Sequence, residues 1–322
     1  MILVTGAAGF IGHHVCQALL SRGATVLGVD NLNTYYDVSL KQARLSRLDT
    51  HPGFSFRLLD VSDRDIMLAL ASEFPRITAI VHLAAQAGVR HSLSDPYVYV
   101  TSNVMGQVVM LELAKRLESL RHFVYASSSS VYGGNTKLPF SVTDPVEQPS
   151  SLYAATKRAD ELIGYTYAHL YRIPATGLRF FTVYGPWGRP DMAAFIFTRA
   201  ILKGEPIQVF NHGRMWRDFT YIDDIVDGVL RALDRPPAST PPHALYNLGN
   251  HKSEKLTDFI ALIEDALGKK AELQMEPLQP GDVASTYADI DDTTRDLGFE
   301  PKTPISIGIP RFIAWYRDYY RE

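Results

Sequence analysis

Short apolar runs recur along the first 181 residues of the chain, at 2–4, 25–29, 54–59, 79–83, 122–126 and 175–181. Between them lie longer stretches whose apolar residues repeat at helical spacing. This rhythm predicts a mostly parallel sheet covered by helices on both faces. The first helix is expected over 11–21, where Ile11, Val15, Ala18 and Leu19 share a face and Gly23 follows as a stop. After the sixth run the alternation ends in Gly185-Pro-Trp-Gly-Arg-Pro-Asp-Met192, which marks the start of a second unit. Residues 219–232 read as a strand and then a helix that return to the main sheet. Residues 252–322 complete the smaller unit over the cleft.

The first run ends at Thr5, and Gly6, Gly9 and Gly12 follow just before the first helix. One glycine lets the backbone turn sharply, one lets a pyrophosphate approach without a Cβ, and one lets helix and strand pack closely. Amides at the helix N-terminus then hold the anion. The second run ends in Asp30, 18 residues after Gly12, where a carboxylate meets the hydroxyls of an adenosine ribose. The chain therefore reads as α/β, with a Rossmann-type doubly wound parallel sheet (residues 1–180 plus 219–250) that binds NAD. A smaller α/β substrate-binding domain is expected from 181–218 plus 251–322. Phe10 and Ile11 in the turn, Asn31 beside Asp30, Asp60-Val61 after the third strand, and Leu83, Ala84 and Ala85 after the fourth join the cofactor-site candidates. His82, within the fourth strand, reads as structural.

Composition narrows the function. The chain has 322 residues, long for one compact domain, with 46% hydrophobic and 21% charged residues as in ordinary soluble enzymes. A net charge of −3 leaves no basic excess to neutralise phosphates, so nucleic acid is not an expected partner. Met1 leads straight into the first strand, and no apolar run approaches the ~20 residues of a membrane span, so a cytoplasmic protein is expected. The single cysteine, Cys16, reads as a small core residue of the first helix. No metal is expected.

The fifth strand ends in Tyr125-Ala-Ser-Ser-Ser-Ser-Val-Tyr-Gly133, a run of hydroxyls where the sheet opens. Downstream, Tyr153-Ala-Ala-Thr-Lys157 places a phenol and an ammonium on one helix face. A free tyrosine, with a pKa near ~10, is a poor base at neutral pH. A neighbouring lysine cation and an oxidised nicotinamide both favour the phenolate, which can then take a proton from a sugar hydroxyl.

On these motifs the chain resembles the extended short-chain dehydrogenase/reductases that act on nucleotide-sugars, over essentially its whole length. It is most similar to the bacterial UDP-glucuronate 4-epimerases. The closer match lies in Asp30-Asn-Leu-Asn-Thr-Tyr-Tyr-Asp37, Ala126-Ser-Ser-Ser-Ser-Val-Tyr-Gly133, Phe180-Phe-Thr-Val-Tyr-Gly-Pro-Trp-Gly-Arg-Pro-Asp191 and Arg217-Asp-Phe-Thr-Tyr-Ile-Asp-Asp224. The resemblance implies that UDP-glucuronate and UDP-galacturonate interconvert through a 4-keto intermediate, with transient hydride transfer to bound NAD. It implies catalytic positions at Ser128, Tyr153 and Lys157, with Lys157 also at the NAD site. Arg217 and Asp282 match positions that bind UDP, although Gln279 stands where galactose relatives often carry arginine. Thr182 and Arg189 are similar to the pair that holds the hexuronate carboxylate, and Arg90, Ser127 and Ser129 join the substrate candidates. A homodimer is implied, formed through the Tyr-Lys helix and the one before it.

The main alternative is a UDP-glucose/UDP-galactose or N-acetylhexosamine 4-epimerase, against which the Thr182/Arg189 pair argues. Dehydratase relatives place an Asp-Glu pair where this chain has Ser129-Ser130. A nucleotide-sugar dehydratase or decarboxylase is therefore less favoured, and a non-catalytic NAD-binding protein least, since Tyr153, Lys157 and Ser128 are all present.

Overall fold

The computed structural model describes residues 1–279 and 281–322. Its strands in chain order are β1 (Ile2–Thr5), β2 (Val26–Asp30), β3 (Phe54–Leu58), β4 (Ala79–His82), β5 (His122–Ser128), β6 (Ala175–Phe180), β7 (Thr182–Tyr184), β8 (Ile207–Val209), β9 (Trp216–Arg217), β10 (Phe219–Tyr221), β11 (His243–Leu248), β12 (Glu254–Lys255) and β13 (Leu273–Met275). Seven of them form one parallel sheet in the order β11-β6-β5-β4-β1-β2-β3. All six expected runs are strands of this sheet.

The sheet is buried on both faces, which is why its strands read as nearly continuous apolar runs. Alternate residues enter opposite cores: Leu3, Phe123 and Tyr125 pack on one side, Val4, Val124 and Leu178 on the other. The second core runs on into the smaller unit through Phe195, Phe259 and Phe312. Helices Ala193–Lys203, Leu256–Leu267 and Ile305–Tyr320 build that unit with the short pairs β7–β10, β8–β13 and β9–β12. Among the described residues no helix is long and apolar enough to cross a membrane.

Three expectations change. Phe219–Tyr221 does not return to the main sheet but pairs parallel with Thr182–Tyr184; only the following helix, Ile222–Leu233, packs back against Phe10–Ser21. The seventh main-sheet strand is His243–Leu248, whose first four residues are half-buried at the sheet edge and so lack an apolar signature. In the first helix the buried face carries His13, Val15, Cys16, Leu19 and Leu20, while Ile11 and Ala18 lie at its margin. The strand order reverses between β1 and β4, and ligand clefts of such sheets open beyond the strand ends at that switch.

Candidate functional site

A cleft of about 1250 Å³ runs from the glycine turn to the smaller unit. At its β1 end the backbone sets the shape. Gly6 has φ +71, and a Cβ there would lie 2.9 Å from the Ala84 amide nitrogen; a Cβ on Gly12 would lie 2.0 Å from the Gly6 carbonyl oxygen. Glycine is required at both positions by space, and at Gly6 by conformation as well. The helix that follows has no side-chain cap and no acid in its first turn, so its leading amides are free to meet a phosphate.

Asp30 accepts from the Ala8 amide at 3.1 Å and the Leu32 amide at 2.9 Å. Burial pushes its acid upward against these bonds and the nearby Lys41. Asn31 donates to Asp60 at 2.8 Å, and Asp60 also accepts from the amide and hydroxyl of Ser62. Val61, Leu83, Ala84 and Ala85 line the same wall with Phe10 and Ile11. The Cβ-free cradle, uncapped helix end and cleft-lining Asp30 carboxylate fit an NAD molecule. His82 is buried and bonded to the Thr5 hydroxyl at 2.7 Å; burial, with Lys157 adding to it, lowers its pKa to about 3, so it is a neutral structural ring.

The hydroxyl run and the Tyr153 helix meet mid-cleft. Ser151 caps that helix by accepting from the Ala154 amide, which places Tyr153 in the first turn and Lys157 one turn on. The Ser128 hydroxyl donates to Ser130 at 3.1 Å. Lys157 donates to the Ala126 carbonyl and to Asp160, each at 3.0 Å. Asp160 is buried beneath it, with a pKa that burial pushes up to about 6 against the pull of Lys157. Ser127 does not join the sugar-facing hydroxyls: its Oγ donates to Glu161 at 2.6 Å, inside the protein. Strand alternation sends neighbouring Ser127 and Ser128 to opposite faces; both residues line the cleft, but the Ser127 hydroxyl is taken by Glu161.

The far half is built from arginines. Thr182 is held by its own amide on the Asp218 carbonyl, and Arg189 presents Nε to Asp191 Oδ1 at 3.0 Å with Nη2 on Oδ2. Arg189 is therefore already paired with a carboxylate of its own loop. Arg90 donates to Asp282 at 2.7 Å and lies over Phe210, while Arg217 donates to the Trp216 and Ala284 carbonyls. Ser129, Thr182, Arg90, Arg189, Arg217 and Asp282 all line the cleft that holds Asp30 and Tyr153. Sequence reasoning passed over Asp160, Asp191 and Tyr35, which donates to Asp191 at 3.1 Å. Asp160 and Asp191 carried the signal of an acid within three residues of a cation, and Tyr35 and Asp191 lie in the quoted stretches Asp30–Asp37 and Phe180–Asp191 without having been singled out.

A parallel sheet with a Cβ-free turn, an acid after the second strand and a Ser-Tyr-Lys set in one cleft defines an NAD-dependent enzyme of the extended dehydrogenase/reductase type. The chain belongs to the NAD dependent epimerase/dehydratase family, whose model matches residues 2–249. It is 48% identical to UDP-glucuronate 4-epimerase 2 of Arabidopsis thaliana, over 100% of this chain and 76% of the relative. It is 44% identical to a probable UDP-glucuronate 4-epimerase of Rhizobium meliloti, over 99% of this chain and 98% of the relative. Among solved structures it superposes on UDP-glucuronic acid 4-epimerase from Bacillus cereus, in complex with UDP-glucuronic acid and NAD, with TM-score 0.92, 34% identity and 99% of both chains covered.

Proposed function

We infer that this protein is a UDP-glucuronate 4-epimerase, interconverting UDP-glucuronate and UDP-galacturonate in the cytoplasm. The observation that carries the reading is one cleft holding Ser128, Tyr153 and Lys157 together with Thr182 and Arg189, a donor pair suited to a carboxylate. The full-length likeness to UDP-glucuronate epimerases supports it. Bound NAD supplies a hydride acceptor that later returns the hydride. Tyr153 takes the proton of the C4 hydroxyl, Ser128 shares the proton path, and Lys157 lies one helical turn on from Tyr153 at the same wall. Arg217 and Asp282 hold UDP while the flat 4-keto sugar turns its other face. Thr182 and Arg189 keep the carboxylate near the plane of the ketone, where the C5–carboxylate bond gains no overlap and CO₂ is retained.

The exposed side chains of Tyr97, Val100, Met105, Leu162 and Tyr165, on the adjoining helical segments 96–105 and 152–171, suit a homodimer built across those segments. A single buried free thiol at Cys16 suits the cytoplasm.

The test is incubation with UDP-glucuronate deuterated at C4, read by NMR. UDP-galacturonate that keeps the label at C4 is expected. Washout of the label to solvent, or turnover of UDP-glucose but not of UDP-glucuronate, defeats the reading.

A further inference from the structure

We propose that Asp191, steadied by Tyr35, is the positioning residue that aims Arg189 at the sugar carboxylate and so sets the preference for an acidic sugar. This rests on the uronate reading above. Arg189 meets Asp191 side-on, through Nε and Nη2. Guanidinium has five N–H donors in one plane, so its other edge, formed by Nη1 and the second Nη2 proton, remains for a further carboxylate. A side-on partner thus fixes both the plane and the heading of the edge that is left.

The partner is itself held. Arg189 and Asp191 are separated only by Pro190, whose ring restricts the intervening backbone. Tyr35 donates to Asp191 from the loop after Asp30, and its hydroxyl occupies the space a side chain at Gly88 would need: a Cβ there would lie 2.7 Å away. Burial works against the Asp191 carboxylate, but Arg189 and Tyr35 hold it below the usual carboxylate range, so it stays charged.

The loop bearing the pair is also tied to the cofactor turn. Arg44 is fully buried and donates to the Ala8 carbonyl at 2.9 Å, the Trp187 carbonyl at 2.7 Å and the Gly188 carbonyl at 3.1 Å. One buried side chain therefore joins the turn at Ala8 to the loop that presents Arg189. Charge makes the same point: Arg189 with Asp191 is neutral as a pair, so a sugar carboxylate is chosen by directed N–H donors more than by net attraction. A swinging, unpaired arginine would attract the carboxylate without holding its plane.

Loss of aim has a chemical signature. In the 4-keto uronate a carboxylate leaning out of plane lets the C5–carboxylate bond break. Its electron pair becomes the enolate of the ketone, which takes a proton at C5, so CO₂ and a UDP-4-keto-pentose form.

The experiment compares wild type, Asp191→Ala, Asp191→Asn and Tyr35→Phe for CO₂ released per epimer formed. It also measures calorimetric affinity for UDP-glucuronate against UDP-glucose, and for UDP alone. The expectation is a CO₂ share that rises about tenfold in Asp191→Ala and about two- to threefold in Tyr35→Phe. The uronate-over-glucose affinity ratio should fall by about tenfold in Asp191→Ala, with UDP affinity and melting temperature unchanged; a tenfold ratio corresponds to about 1.4 kcal/mol. Asp191→Asn keeps the shape without the charge and should lie between. A purely structural role would instead lower melting temperature and UDP affinity together and leave the CO₂ share alone, which overturns the proposal. If wild type epimerises UDP-glucuronate and the variants keep its product ratio and affinity ratio, the positioning role is wrong and the function stands. If wild type does not act on UDP-glucuronate, both fall.

Discussion

Two arginine–carboxylate pairs of the same bidentate design do different work in this molecule. Arg179 on β6 meets Glu161 on the Tyr153 helix at 2.7 and 2.9 Å, with both side chains only 1% exposed. Arg189 meets Asp191 two residues along one loop, with side chains 22% and 29% exposed at the cleft wall. The first pair is further enclosed by Ser127 and Arg158 on Glu161 and by the Tyr132 ring under Arg179. Burial raises Glu161 as an acid, but these donors more than offset it and hold it below its usual range. Every lone pair is answered from within, so nothing remains for a ligand. The second pair keeps one guanidinium edge open to the cleft. The difference shows that chemical identity alone does not say whether an ion pair holds a fold or a substrate; enclosure does.

The comparison is sharpened most by a variant that should alter chemistry without touching either pair. Tyr153→Phe is expected to lower epimerisation by on the order of 10² to 10⁴ while bound NAD and melting temperature stay as in wild type. Comparable turnover in steady-state assays would remove Tyr153 from the proton path and move the reacting centre elsewhere in the cleft. On the enclosed side, Glu161→Ala leaves Arg179 buried without its counter-charge and should cost about 3–5 kcal/mol in denaturant unfolding. A loss as small as that of an exposed pair, ~0–1 kcal/mol, would break the contrast between the two regions.

A smaller effect concerns acid. Burial holds five histidines neutral, lowering His13 to about 2, His82 to about 3, and His14, His122 and His243 to about 4. A histidine depressed in the folded state contributes stability that is complete above its unfolded pKa of ~6.5 and is lost as pH falls toward the folded value. Asp160 and Asp218, both raised to about 6 by burial, act in the opposite sense: their contribution is present below the unfolded carboxylate range and lost as pH rises through 6. Asp30 and Asp223, also raised by burial, act with these two, but the five histidines together with carboxylates held below their usual range, such as Asp60, Glu161 and Asp191, outnumber the four raised acids, so unfolding free energy should fall as pH drops from 6.5 toward 4, by about 1.4 kcal/mol per pH unit for each net proton taken up. In urea titrations across that range His122→Gln should flatten the slope. An unchanged slope would show that the ring His122 shares with Thr176 and the Leu233 carbonyl is not among the groups that resist protonation.

Legibility followed the range of the interaction. The glycine turn, the six apolar runs, the Tyr153–Lys157 spacing and the structural character of His82 and Cys16 were all readable, because each leaves its mark in residue type and spacing along a short stretch of chain, even where the contact itself is distant, as for His82 with Thr5. The seventh strand was not, since an edge strand with four half-buried residues has no apolar run to announce it. Phe219–Tyr221 was recognisable as a strand, but period alone does not choose a partner, and it pairs with Thr182–Tyr184 instead of the main sheet. The period of two likewise assigns Ser127 and Ser128 to opposite faces without saying which hydroxyl is already taken; Glu161, 34 residues away from Ser127, decides that.

The amino-acid order by itself therefore determined the Rossmann-type sheet, the NAD turn and the residue types of the reacting centre, for these follow from backbone sterics, side-chain alternation and local spacing. Tertiary structure alone decided which groups are already spoken for: Arg189 by Asp191, Asp191 in turn by Tyr35, Lys157 by Asp160, Ser127 by Glu161. The physical reason is that the hydrogen-bonding capacity of a charged group is limited and is spent on whatever lies within about 3 Å. Elements remote in sequence, or a loop's own folding, settle what lies there.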